Sequence, residues 1–166
     1  MAIGQFAILM PALSPELRSQ IVAALGKYPS KQAATLPALH LVHDAHRAVS
    51  PEAIREIAEI LELHPAEVYD TMSFYGFFRE PGNPLGRQRV WVCRSISCAL
   101  RGGEELLAEL SQRWNVKPGH TSADGRVSLE YAECLGACEG APCMLVNDEC
   151  HMNMTPDSAA KVVEVQ

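Results

Sequence analysis

The chain has 166 residues, of which 48% are hydrophobic, and a formal net charge of −6; this is enough apolar material for one domain or two small ones. Nine Asp/Glu stand against six Lys/Arg up to residue 83 and eleven against eight after it, which excludes the clustered positive charge that a nucleic-acid binder needs to displace phosphate counterions. The longest apolar run, Phe6 to Leu13, is broken by Pro11 and has no basic lead-in, so neither direct membrane insertion nor a secretory signal is expected and the chain is read as cytoplasmic.

Ser14-Pro15-Glu16 combines an N-cap, a proline in the first helical position and an early acid, which predicts a helix to about Tyr28. Leu36 to His46 is apolar and helix-like, with Pro37 in its first turn. Ser50-Pro51-Glu52 repeats the start signal and opens a segment with Ile54, Ile57, Ala58 and Leu61 on one face. His64-Pro65-Ala66-Glu67 starts a fourth helix that leads to Ser73-Phe74-Tyr75. Four short helices predict a bundle. Glu80 to Gly86 is rich in chain breakers and reads as a linker, giving an N-terminal helical domain over 1–83 and a second domain over 84–166. In the second domain Arg89 to Cys93 is β-prone. Glu104 to Trp114 is amphipathic, with Leu106, Leu107, Leu110 and Trp114 facing inward, and Val127 to Tyr131 is a candidate strand. Met144 to Asn147 and Cys150 to Met152 flank the acidic turn Asp148-Glu149, which predicts a terminal hairpin, and Thr155-Pro156-Asp157 caps a last helix to about Val163. The expected class is α+β: a four-helix bundle followed by an α/β domain with a small sheet.

All six cysteines lie in the second half. In a cytoplasmic setting, where thiols stay reduced, they are expected to hold metal rather than form disulfides. Cys93 and Cys98 form a C-x4-C pair, and Cys134 and Cys138 a C-x3-C pair. A [2Fe-2S] cluster needs two sulfurs on each of two irons, so the number and pairing fit it directly. Gly136, Gly140 and Pro142 are expected to keep the second loop small and open, so that backbone N–H groups can approach the sulfurs. Structural zinc is the rival, since four thiolates also close a tetrahedral site, although zinc favours the tighter C-x2-C pair. Disulfides or unligated core cysteines are the plain alternative. Cys143 and Cys150 fall outside the pairs, and Cys143 reads as a small core residue that could also act as a decoy thiol during oxidation.

Other patterns carry less. His40, His43 and His46 recur at helical spacing without acidic or cysteine companions. Phe74, Tyr75, Phe77 and Phe78 read as a seal between the bundle and the second domain, with the tyrosine free to reach an interface. Arg87, Arg89, Arg94 and Arg101 surround the first cysteine pair, either as a solvated patch or as an offset to a negative cluster. There is no nucleophile elbow, no C-x2-C redox pair and no glycine-rich dinucleotide fingerprint, so nicotinamide and flavin are expected on another chain.

The run Cys93 to Cys98, then Glu133-Cys134-Leu135-Gly136-Ala137-Cys138 and Ala141-Pro142, resembles the small [2Fe-2S] subunit of NADH:quinone oxidoreductase, the E-type subunit of respiratory complex I. Tyr28-Pro29, Leu36 to Val42, Ile57-Ala58, Pro65 to Tyr69 and Ser73-Phe74-Tyr75 resemble the helical portion of the same family. The resemblance covers about residues 16 to 163. It implies a thioredoxin-like second domain and a [2Fe-2S] cluster on Cys93, Cys98, Cys134 and Cys138. It also implies an electron-transfer role, non-catalytic in itself, beside a subunit of F type that holds FMN and oxidises NADH. The same subunit type serves NAD-reducing hydrogenases and formate dehydrogenases. A stand-alone ferredoxin-like carrier is the alternative from another class, and a homodimer or a heterotetramer with the partner is compatible with the resemblance. Cys143 and Cys150 depart from it in having no place in the ligand pattern, and the sequence stops soon after its last helix, without a C-terminal extension.

Overall fold

The computed structural model describes residues 12–165; most of the apolar run Phe6 to Leu13 lies outside them. Two compact units divide between Gly82 and Asn83.

The first unit contains α1 (Pro15–Leu25), α2 (Thr35–His46), α3 (Pro51–Leu61) and α4 (Pro65–Phe74). Three of the four start where the proline signals place them. Ser14 Oγ accepts from the Leu17 N–H at 3.1 Å, and Ser50 Oγ accepts from the Ala53 N–H at 3.1 Å. At α4 the His64 ring takes the cap, with Nδ1 accepting from the Ala66 N–H at 3.2 Å, while Glu67 accepts from the His64 N–H at 2.9 Å. These bonds satisfy donors that every helix start leaves without an intrahelical partner. Helix α1 stops at Leu25 rather than near Tyr28, since Lys27 and Tyr28 turn back onto the carbonyls of Ala24 and Leu25. Leu17, Ile21, Leu39, Val42, Ile57, Leu61, Val68 and Phe78 form the core of the unit. Burying each such side chain contributes about 1.5–3 kcal/mol. The Glu56 carboxylate fastens the start of the described chain to α3, accepting from the Ala12 N–H at 2.6 Å and from Arg18 Nη2 at 2.9 Å.

The second unit contains β1 (Gln88–Cys93), α5 (Ile96–Leu100), α6 (Gly103–Trp114), β2 (His120–Thr121), β3 (Val127–Ala132), β4 (Met144–Val146), β5 (Glu149–His151) and α7 (Pro156–Val165). The sheet order is β2-β3-β1-β4-β5. Strands β1 and β3 are parallel, pairing Gln88 with Val127 through Cys93 with Ala132. The other pairings are antiparallel. Val90, Val92, Val127, Leu129, Met144 and Val146 from the sheet pack with Leu106, Leu107, Leu110 and Trp114 of α6 and with Ala159 and Val163 of α7. The inward residues expected of the amphipathic segment are those that α6 buries. The terminal hairpin turns at Asn147, where φ is 52°, one residue before the acidic pair. Helix α7 is capped by Thr155 Oγ1, which accepts from the Ser158 N–H at 3.2 Å. Two short elements had no sequence signal: α5, which carries Cys98, and the two-residue strand β2. No helix among the described residues is long and apolar enough to cross a membrane.

Candidate metal centre

The central pair of strands carries the cysteines. Cys93 is the last residue of β1, and its N–H donates to the Cys143 carbonyl at 3.1 Å. Cys98 follows on α5. Cys134 and Cys138 lie in the loop after β3, and Cys143 immediately precedes β4. Because β1 and β3 run parallel and end in register at Cys93 and Ala132, both cysteine loops leave the sheet at the same end.

The expected pairs differ in setting. Cys93 and Cys98 are buried, whereas Cys134 and Cys138 are exposed, with Sγ atoms 3.6 Å apart. Two thiolates on one tetrahedral metal at ~2.3 Å lie ~3.8 Å apart, so the exposed pair already has the spacing of two ligands on one iron. The Sγ atoms of Cys93 and Cys98 lie within 4.8 Å of one another. Burial pushes the Cys93 thiol up, but N–H groups of Ser95 and Leu135 donate toward its sulfur and hold it below the ordinary thiol value. Burial dominates at Cys98 and raises it, against one N–H donor from Cys143. Hydrogen bonding and repulsion from Cys134 raise the Cys138 thiol. Four thiols in two pairs with backbone N–H groups on the sulfurs fit a [2Fe-2S] cluster.

Close packing fixes the loops. Gly103, the first residue of α6, is pressed against the first loop so tightly that a Cβ there would meet the carbonyl oxygens of Cys93 and Cys98 at 2.9 Å each. Gly136, midway between Cys134 and Cys138, adopts φ 79°, which glycine reaches without steric cost. Gly140 is not part of an open loop, as it is covered by Met152 and its carbonyl accepts from the Asn153 N–H at 2.6 Å.

Sequence reasoning named two residues here but missed their placement. Arg101, at the end of α5, donates from Nε to the Ala141 carbonyl at 2.8 Å and so ties one cysteine segment to the other. The neighbouring arginines are likewise engaged: Arg89 bonds Glu130 at 2.8 Å and lies 4.3 Å from the Trp91 ring, and Arg94 Nε bonds Glu133 at 2.9 Å. The second miss is Cys143, whose Sγ is 3.6 Å from that of Cys98 and within 4.8 Å of that of Cys93. It is buried as expected, yet it faces the thiols of Cys98 and Cys93. Cys150 is exposed. Away from this centre, His43 is buried edge-on to Phe78 at 5.5 Å, and His40 stacks on Phe77 at 5.2 Å. Most of the aromatic run therefore packs within the helical unit, while Phe74 is 80% exposed.

On α5 the outer face is apolar. Ile96 is 77% and Leu100 82% exposed, on either side of the buried Cys98.

A model of the family described as thioredoxin-like [2Fe-2S] ferredoxin matches residues 21–165. The chain is 37% identical over 138 residues to the second E-type NADH-quinone oxidoreductase subunit of Rhizobium meliloti, covering 83% of this chain and 81% of that one. It is 38% identical over 140 residues to the E-type NADH-quinone oxidoreductase subunit of Mycobacterium bovis, covering 84% of this chain; it spans 55% of that relative's length. In structure it is similar to a chain of an NAD+-reducing [NiFe]-hydrogenase in the H2-reduced state, with a TM-score of 0.65 and 24% identity over 80% of this chain and 22% of that one.

Proposed function

The chain belongs to the thioredoxin-like [2Fe-2S] ferredoxin family, and we propose that it is the electron-transfer subunit of an NADH:quinone oxidoreductase module, with one [2Fe-2S] cluster held by Cys93, Cys98, Cys134 and Cys138. The observation that carries this is the pairing of thiols at the common end of β1 and β3, with the exposed pair 3.6 Å apart. When bound, such a cluster takes up and releases single electrons. The chain's own residues set the conditions: Ser95 and Leu135 N–H groups donate to Cys93, and Arg101 holds the two loops together. With no dinucleotide fingerprint in the sequence, FMN, NADH and the oxidation of NADH belong to a partner subunit of F type, and this chain is non-catalytic by itself. Ile96 and Leu100 would meet that partner beside Cys98. Residues 1–83 are read as a four-helix docking bundle and 84–166 as the cluster domain, on the cytoplasmic face of the membrane within a larger complex.

The extent of the family match favours this over a stand-alone carrier, because it begins at residue 21, within α1. A diaphorase subunit of an NAD-reducing hydrogenase or formate dehydrogenase would use the same site. The identity of 37–38% to quinone-reductase subunits favours the first assignment.

EPR of the anaerobically purified, dithionite-reduced chain, with iron and acid-labile sulfide analysis, tests the reading. A spin-half signal with about two irons and two sulfides per chain supports it. One zinc per chain and no signal overturns it. Co-purification with a stable flavoprotein tests the partner, and a chain that stays alone while exchanging electrons with several enzymes would replace the subunit reading by the carrier.

A further inference from the structure

The five cysteines at this end of the sheet outnumber the four ligands of the proposed cluster, and the surplus one is not a bystander. Cys93, Cys98 and Cys143 bring three Sγ atoms within 4.8 Å of one another, all three residues buried. The Cys98–Cys143 separation is 3.6 Å, against ~3.8 Å for two thiolates on one tetrahedral ion at ~2.3 Å. The three sulfurs come from a strand end, a helix and the residue before another strand, so the fold and not a flexible loop holds them. The surroundings are apolar, made by Ala141 with Leu135 and Ala137 packed against them. We propose that the cluster-free chain has a second, mononuclear metal site on Cys93, Cys98 and Cys143, selective for one divalent thiophilic ion of the zinc class.

The preference for a divalent ion follows from charge and softness. Thiolate ligands select soft ions over Mg2+ or Ca2+, and three thiolates with a divalent ion leave a net charge of −1, whereas a monovalent ion would leave −2 in the same apolar pocket. Binding exchanges three S–H bonds for three metal–sulfur bonds and releases three protons to solvent. Three protein ligands leave the fourth tetrahedral position open. This site and the cluster share Cys93 and Cys98, so they exclude one another, and they part at Cys143 on one side and at Cys134 and Cys138 on the other. Zinc in the mononuclear site withholds half of the cluster's ligands. The proposal rests on the geometry of the trio, and the cluster reading can fail without it.

The experiment is an anaerobic titration of the full-length cluster-free chain with Co2+, followed by its thiolate-to-cobalt charge-transfer absorption and then by displacement with Zn2+. The wild type is expected to bind one Co2+ tightly. Cys143→Ser should weaken that binding at least about 100-fold, beyond the range for losing a mere supporting group, while Cys134→Ser and Cys138→Ser leave it within a few-fold. Zn2+ preloading should slow reconstitution with iron and sulfide in the wild type and not in Cys143→Ser. Reconstitution of Cys143→Ser to two irons, with a wild-type EPR signal, verifies that the variant folds. Loss of the cluster in that variant would count against the four-ligand assignment instead. Unchanged cobalt affinity in Cys143→Ser, or an equal loss in Cys134→Ser or Cys138→Ser, overturns the mononuclear site.

Discussion

Gly103→Ala adds one methyl group where there is no room for it. The new Cβ would sit 2.9 Å from the carbonyl oxygens of both Cys93 and Cys98, and the contacts are backbone atoms that cannot rotate away. Overpacking of this kind costs about 1–3 kcal/mol, and the better helix propensity of alanine returns roughly 0.5–1 kcal/mol. The expected net loss is on the order of 1–2 kcal/mol, although the same change on an open helix would stabilise. With a urea m-value of about 1–3 kcal/mol per M the midpoint falls by roughly 0.3–2 M. Both tryptophans, Trp91 and Trp114, lie in the second unit, so tryptophan fluorescence reads the unfolding of that unit alone. Relief of the clash moves α6 away from the first cysteine loop, so iron content after reconstitution should fall as well. Gly102→Ala is the control. Its φ of 89° makes any side chain costly, but the nearest neighbour of its Cβ is the Glu105 carboxylate at 3.7 Å, so it should lose about 1–2 kcal/mol and keep its iron. A Gly103→Ala variant that unfolds at the wild-type midpoint with full iron, or an equal loss of iron in both glycine variants, would show that the backbone clash does not govern the first cysteine loop.

Among the paired cysteines, Cys93→Ala, Cys98→Ala, Cys134→Ala and Cys138→Ala should each abolish or badly destabilise the cluster, whereas Cys150→Ser keeps it, as read by iron and sulfide analysis. Arg101→Ala frees the Ala141 carbonyl from its 2.8 Å partner and should speed cluster loss to a chelator without lowering initial iron content; an unchanged rate would remove Arg101 from the site. Glu56 is raised by burial but brought below its ordinary carboxyl value by the Ala12 N–H and Arg18. Its stabilising effect is therefore present above the unfolded value of 4.5 and lost as pH falls through the lower folded value. Glu56→Gln should cost about 1–3 kcal/mol at neutral pH and flatten the acid limb of a helicity titration, and an acid limb identical to wild type would show that another group sets it. Replacing Ile96 and Leu100 together by serine should weaken binding to the proposed flavin-bearing partner while leaving the EPR signal intact, measured by co-purification and spectroscopy on the same preparation.

Much of this was legible because the chain announces its helices. Each of the Ser14, Ser50 and His64 starts puts a capping side chain directly before a proline, a local pattern that tertiary packing has little reason to override. The apolar periodicity of α3 and α6 likewise depends only on neighbours within one element, and it named the buried faces. What escaped was non-local. Cys143 reads as a core residue because sequence spacing registers cysteines that are close along the chain, and its partner Cys98 is 45 positions away. Arg101 looked like one of a patch because nothing in the sequence says that the Ala141 carbonyl comes within reach. Helix α5 is five residues long, too short to display a period, although it holds a candidate ligand and the exposed apolar pair.

The parallel register of β1 and β3 also dictates an order of events. Cys93 and Ala132 are partners across 39 residues of chain, so neither thiol pair meets the other until that pairing is complete. A slip of a single residue would carry Cys93 about 3.3 Å along the strand and turn its side chain to the opposite face of the sheet. Misregistered chains thus cannot gather the four sulfurs of the proposed cluster. Acquisition of the proposed cluster would then act as a proofreading step, distinguishing chains that have finished building the sheet from those that have not.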